Sequence, residues 1–192
     1  MASPSELPSI TAALSADLSN AGIDHAISGA TAMAAHGYVR ATQDIDVLVV
    51  VPDIRLPEVF SIVRKRGFHG QDPDLVRALR DHHVAELRRG TLSVQILRPA
   101  LPYHHVVLRR AVRLPVSGHA VPFVSREDLV VLKLLWHRTK DIADIQALLA
   151  AAGATLDVAY VRTTLGQLLP DGDPRHREFD GLATRFARPK KN

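Results

Sequence analysis

Asp44 and Asp46 stand one residue apart at the head of an apolar run, Asp44-Ile45-Asp46-Val47-Leu48-Val49-Val50-Val51. Side chains alternate along a strand, so positions i and i+2 share a face. Two carboxylates a few ångströms apart repel unless a cation lies between them. Hard oxygen ligands of this kind suit Mg²⁺ or Mn²⁺. Alone the pair is a weak signal, because most such pairs are solvated strand ends. The neighbouring residues strengthen it. Upstream, Ile27-Ser28-Gly29-Ala30-Thr31 reads as a strand ending in a glycine turn that opens a helix. The free N–H groups of a helix start attract phosphate, and glycine lets a ligand approach the backbone. Between the two segments, Arg40-Ala41-Thr42-Gln43 offers a fork-shaped cation and a hydroxyl. A triphosphate–metal site is expected, with Asp44 and Asp46 on the metal and Ser28, Gly29, Thr31, Arg40 and Thr42 on the nucleotide.

A second group of polar residues lies far downstream. Lys133 interrupts the run Leu129-Val130-Val131-Leu132-Lys133-Leu134-Leu135-Trp136. One reading is a lysine with a packed stem and a solvated head; the other is a phosphate ligand, and the second is preferred. On an unbroken helix residues 133, 137, 140, 141 and 144 share one face. Alternatively, Thr139 caps a second helix. Other chemistries lack support. There is no cysteine, which excludes disulfides and thiolate metal sites. The pairs His82-His83 and His104-His105 are adjacent, and adjacent residues do not point together, so structural or surface roles are expected. No Gly-x-Ser-x-Gly elbow, Gly-Lys-Ser/Thr phosphate loop or His-x-x-x-His spacing with a glutamate base occurs.

The elements that must hold these residues follow from hydrophobic periodicity. Helices are expected at 5–20, from Gly29 through Ala35, from the low fifties to Arg66, and as one or two turns at 74–80. Strands are expected at 24–28, 45–51, 83–88 and 91–97, with a second hairpin at 111–116 and 119–124 turning on Ser117-Gly118. Helices at 126–137, 140–152 and 157–169 complete the pattern, the first capped by Ser125 with Asp128 three residues on. Strands first and helices last point to an α+β sheet domain with a C-terminal helical bundle. The boundary is placed between residues 1–124 and 125–192. The chain has 192 residues, 46% of them hydrophobic, and a net charge of +4, enough for a real core. Residues 175–192 carry six basic and two acidic side chains, so the rest of the chain is neutral. A tail of this kind either contacts phosphates or is solvated and frayed. No basic–apolar leader and no apolar run long enough for a bilayer is seen, so no membrane partner and a cytoplasmic location are expected.

The segment Ile27 to Tyr38, followed by Arg40-x-Thr42-x-Asp44-Ile45-Asp46, resembles the opening of the DNA polymerase β-like nucleotidyltransferase superfamily. Glu127-Asp128-Leu129-x-x-Leu132-Lys133 and Arg138-x-Lys140-Asp141-x-x-Asp144 match a second block in outline. The branch it is most similar to is the small bacterial group related to AbiEii-type toxins of toxin–antitoxin systems. The resemblance covers residues 20–150 and implies a nucleotidyltransferase-type mixed sheet with flanking helices. It further implies transfer of an NMP from an NTP to an acceptor hydroxyl, with Mg²⁺ or Mn²⁺ as cofactor and Lys133, Asp141 and Asp144 completing the catalytic set. Expected partners are the NTP, tRNA or another RNA, and a cognate antitoxin. Arg64-Lys65-Arg66, Arg88-Arg89, Arg109-Arg110 and the tail are the expected cationic surface for RNA. One departure stands out. Many members carry a third carboxylate on a later strand, and Gln95 occupies that slot here. A glutamine amide cannot usefully accept a proton. Either Asp141 or Asp144 replaces the function, or the fold serves as a degenerate nucleotide-, RNA- or partner-binding module.

Overall fold

Six strands join in one mixed sheet: β1 (Asp24–Ser28), β2 (Asp44–Val50), β3 (Val84–Arg89), β4 (Leu92–Leu97), β5 (Val112–Val116) and β6 (His119–Phe123), in the order β3-β4-β2-β1-β6-β5. The structure is a computed structural model and describes residues 6–186. β1 is antiparallel to β2 and parallel to β6, and β2 is parallel to β4. Two hairpins, β3–β4 and β5–β6, therefore flank a central antiparallel pair. The second turns on Ser117 and Gly118, both with positive φ (47° and 80°), the hand that matches strand twist in a two-residue connection. Ile45, Val47, Leu48 and Val49 are all buried, as an interior strand covered on both faces requires.

The chain packs as two compact units. The first comprises the residues up to Ala32 together with Arg40–Val124; the second comprises Met33–Val39 and the chain from Ser125 onward. In the first, α1 (Glu6–Asn20) packs on β1, β6 and α3 (Leu56–Arg64), sealing Leu14, Leu18, Phe60 and Val63 from solvent. α2 (Gly29–Ala35) begins in this unit and ends in the other. α4 (Asp72–His82) runs for three turns rather than the one or two expected. It buries only Leu75 and Leu79, too thin an apolar signal to give its length. α5 (Tyr103–Arg109) was not anticipated from the sequence, because its seven residues span barely two turns.

The second unit holds α6 (Arg126–Trp136), α7 (Thr139–Ala152), α8 (Val158–Leu168) and α9 (Pro174–Phe186). α6 packs on α7 and α8, and α9 on α7 and α8, burying Val130, Leu134, Ile145, Leu149, Val161, Leu165 and Phe179. Ser125 caps α6, its Oγ accepting from Asp128 N (3.1 Å) and donating to Asp128 Oδ2 (2.7 Å). α9 takes up the first two thirds of the stretch read as a basic tail, anchored by Phe179 and Ala183. Arg188, Lys190 and Lys191 lie outside the described residues. No helix among the described residues is long and apolar enough to cross a membrane.

Inside the first unit His25 ties α1 to the sheet. Its Nδ1 bonds to Ile23 O (2.9 Å) and its Nε2 to Ser15 Oγ (2.8 Å). Burial holds the imidazole below its ordinary 6.5, against the pull of the Ile23 bond, and the nearby Arg113 charge adds to the depression. The folded state thus binds fewer protons than the unfolded chain. Stability is complete above 6.5 and declines as pH falls below it. Urea midpoints are expected to drop on acidification through that range, and His25→Gln is expected to remove part of the slope.

Candidate active site

The register of the sheet arranges two rows of polar residues on one face. Ser28 of β1 pairs with Asp46 of β2, Asp46 with Gln95 of β4, and Gln95 with Glu86 of β3. One step along, Asp44 pairs with Ser93, and Ser93 with Arg88. Residues paired across neighbouring strands project to the same side, so both carboxylates, Ser28, Gln95 and Glu86 share a face. Asp44 and Asp46 are half-buried while Ile45 between them is sealed in the core. This is the arrangement that alternation along a strand predicts.

Asp44 is held from several directions. Ser93 Oγ donates to its Oδ1 (2.7 Å). The hydroxyls of Thr31 and Thr42 donate to its carbonyl (3.3 and 3.4 Å), and its N–H donates to Thr42 Oγ1 (3.2 Å). Thr31 and Thr42, expected on the nucleotide, thus act here as tethers that fix where β2 begins. Arg40 is half-buried on the loop leading into β2.

Gly29 and Asp46 fit together closely. A Cβ on Gly29 would fall 1.7 Å from Asp46 Oδ2 and 2.7 Å from its Cγ, and Gly29 has φ +59°. Only glycine allows the Asp46 carboxylate to lie against the backbone that opens α2. α2 has seven residues, so it offers local N–H groups more than a long summed dipole. Gly29→Ala is expected to cost about 1–2 kcal/mol for the left-handed backbone alone and to displace the carboxylate as well. Gly22 supplies the control, since it has φ +64° but nothing within 4 Å of an added Cβ. Urea unfolding should show Gly29→Ala clearly more destabilised than Gly22→Ala.

The residues present fit a hard divalent cation. Two carboxylates share a face and the Gln95 carbonyl lies in the same row, an all-oxygen donor set. Among the described residues no group of three or more His, Cys, Asp or Glu is placed to hold a metal ion. Mg²⁺ is bound through one or two carboxylates plus substrate phosphates rather than by an all-protein cage.

In the second unit, Lys133 meets the acidic residues expected beside it. Its Nζ donates to Asp144 Oδ2 (2.6 Å) and lies 3.6 Å from Asp141 Oδ1. The side chain is 10% exposed, so the head is not in water and the solvated-head reading fails. The helix does not run on unbroken either. α6 stops at Trp136, followed by His137 with φ 53°, and α7 starts at Thr139. The cap is Arg138 rather than Thr139. Asp141 accepts from the Arg138 backbone (3.1 Å), from its Nε (2.7 Å) and from its Nη2 (3.2 Å). Burial works to raise the Asp141 pKa, but these bonds and the Arg138 and Lys133 charges outweigh it and hold it below the ordinary 3.8. The carboxylate is sealed, with both oxygens engaged by Arg138.

Sequence reasoning missed Ser93 and Glu86. Both sit at alternating positions of strands it had placed, yet only the register shows that they share the row with Asp44 and Asp46. Four arginines expected to form a cationic surface are committed to carboxylates: Arg64 to Asp72, Arg66 to Asp17, Arg88 to Glu86 and Arg89 to Glu6.

No protein-family model and no curated protein matches the chain. Solved structures do. An antigenic nucleotidyltransferase-like protein from Paracoccidioides brasiliensis is 18% identical, with a TM-score of 0.54 over 97% of this chain and 96% of that one. The antibiotic-resistance factor ANT(2'')-Ia is 16% identical, with a TM-score of 0.54 over 96% and 92%. JHP933 from Helicobacter pylori is 13% identical, with a TM-score of 0.52 over 97% and 94%. With a six-stranded mixed sheet, flanking helices and a helical bundle, the chain has the polymerase β-like nucleotidyltransferase fold.

Proposed function

We propose that the protein is a metal-dependent nucleotidyltransferase that moves an NMP from an NTP to an acceptor hydroxyl. The observation that carries this reading is the seating of the Asp46 carboxylate on Gly29, beside an Asp44 oriented by Ser93. Mg²⁺ bound there supplies charge neutralisation on the phosphates and polarises the acceptor oxygen. The chain's own residues do the rest. Asp44 and Asp46 receive the metal–nucleotide complex, and Ser93, Thr31 and Thr42 keep Asp44 from turning away. Gly29 and Ser28 present backbone and hydroxyl to the phosphates. The acceptor oxygen attacks the α-phosphorus, the α–β phosphoanhydride bond breaks and pyrophosphate leaves. The acceptor proton passes to the carboxylate pair, since the Gln95 amide cannot take it. Arg40 is the cation proposed for the leaving group. Lys133 and Asp144 are proposed to act as a pair within the helical unit.

The acceptor is proposed to be RNA, tRNA among the candidates. ANT(2'')-Ia has been solved in complex with adenylyl-2''-tobramycin, so a small hydroxylated molecule is the competing acceptor. Incubation with each α-labelled NTP and Mg²⁺ or Mn²⁺, with total RNA in one arm and aminoglycosides in the other, tests both. Label on RNA with pyrophosphate release is the expected result. The AbiEii-type resemblance adds an antitoxin partner: expression is expected to arrest growth, Asp46→Asn to relieve it, and a neighbouring gene product to do the same. Gln95 favours a second reading, a degenerate fold that binds NTP without turnover. Nucleotide binding by calorimetry with no label transfer to any acceptor would select it.

A further inference from the structure

The turn joining α6 to α7 presents an unusual surface. Trp136, His137, Arg138, Thr139 and Lys140 are all exposed. Trp136 is the only tryptophan of the chain, and 58% of it is open to solvent. Single exposed apolar side chains are ordinary on a protein surface, but an indole is rarely left so open. Here its position is set by the backbone. α6 ends at Trp136, the left-handed His137 that follows turns the chain away, and the ring is left at the helix end.

A fixed cation stands beside it. The Arg138 guanidinium carbon lies 5.9 Å from the indole centroid, within cation–π range. Arg138 is also pinned by two bonds to Asp141, from its Nε to Oδ2 (2.7 Å) and from its Nη2 to Oδ1 (3.2 Å). Asp141 neutralises the guanidinium from a sealed position (0% exposed), while 56% of the Arg138 side chain stays open to solvent. Lys140 has no ion-pair partner among the described residues. His137 Nε2 is engaged by Glu178 Oε2 (2.5 Å), so that carboxylate is already occupied. The surface offered is an open aromatic face, a rigid guanidinium plane and an ammonium.

These are the groups that hold single-stranded nucleic acid: bases stack on aromatic and arginine planes while cations track the phosphates. We propose that the α6–α7 turn binds a single-stranded nucleic-acid end, one base stacking on Trp136 and the flanking phosphates meeting Arg138 and Lys140. This binding goes beyond the nucleotidyltransferase reading and stands apart from turnover.

The sole tryptophan makes the site report on itself. Intrinsic fluorescence of the full chain is titrated with oligoadenylate, with an abasic ribose-phosphate chain of equal charge, and with ATP. Quenching by oligoadenylate and none by the abasic chain is expected. In anisotropy with labelled oligoadenylate, Trp136→Ala is expected to weaken binding about tenfold, as loss of one stacked base does, while Trp136→Phe keeps most of the affinity. Lys140→Ala should leave quenching intact and make the salt dependence shallower. Equal affinity for Trp136→Ala and wild type, equal quenching by the abasic chain, or quenching by ATP with no oligoadenylate binding would each overturn the proposal. Mg²⁺-dependent NTP binding by Trp136→Phe, followed by calorimetry, reports separately on the nucleotidyltransferase reading. Strand binding without NTP binding would sink that reading and leave this one standing.

Discussion

Asp46→Asn is expected to remove nucleotidyl transfer almost completely while the protein stays folded. Loss of one charged metal ligand is worth several kcal/mol of transition-state stabilisation, or a fall of about 10³-fold or more in turnover. The fold should tolerate the change for a geometric reason. Asparagine has the same shape as aspartate, so the close seat against Gly29 survives. The position is half-buried at the start of a strand, not in the core. Calorimetric Mn²⁺ titration in the presence of a non-hydrolysable NTP should show most affinity gone, with an unchanged urea midpoint. Wild-type metal binding in the variant would remove Asp46 from the site. Asp44→Asn should behave similarly, although Ser93 Oγ can still donate to the amide oxygen and keep it in place.

The second large effect falls on stability. Lys133→Met is expected to destabilise the protein by about 3–5 kcal/mol, the cost of breaking a buried ion pair from one side. Asp144 would lose the ammonium 2.6 Å from it and remain nearly sealed from water. Asp141 keeps Arg138 and suffers less. The double variant Lys133→Met/Asp144→Leu removes both charges together and should recover most of the loss, since apolar replacements of a buried pair are often neutral. Urea denaturation with unchanged slope checks the three proteins. A single-variant cost below about 1 kcal/mol is what a solvated surface lysine would show, and would contradict the buried geometry. The pair thus makes Lys133 a residue whose ammonium is fixed in direction, which a flexible surface lysine would not be.

Much of the candidate site was legible from local pattern. The alternation in Asp44-Ile45-Asp46 put both carboxylates on one face, and the strand register agrees. Gly29 marked the turn into α2, and its positive φ is a local property of the chain. Ser125 with Asp128, and Ser117 with Gly118, announced a cap and a hairpin for the same reason: each acts within a few residues, so its meaning is carried by the residues themselves.

What depends on distant pairing was not legible. Ser93 reaches Asp44 across 49 residues, and nothing near residue 93 says which strand it will lie beside. Gln95 and Glu86 enter the same row only because β4 runs parallel to β2 and antiparallel to β3 in one particular register. The thin apolar stripe of α4 and the short α5 needed the sheet to define them. Lys133 shared the right residues with the expectation but not the right route: the helix breaks at His137, and α7 packs back on α6 to bring Asp144 to the ammonium. Membership of Met33–Val39 in the unit that starts again at Ser125 was likewise a matter of packing. Side-chain periodicity encodes which face a residue takes on its own element. Which element comes to lie against that face is decided by the collective burial of apolar surface, a property of the whole chain.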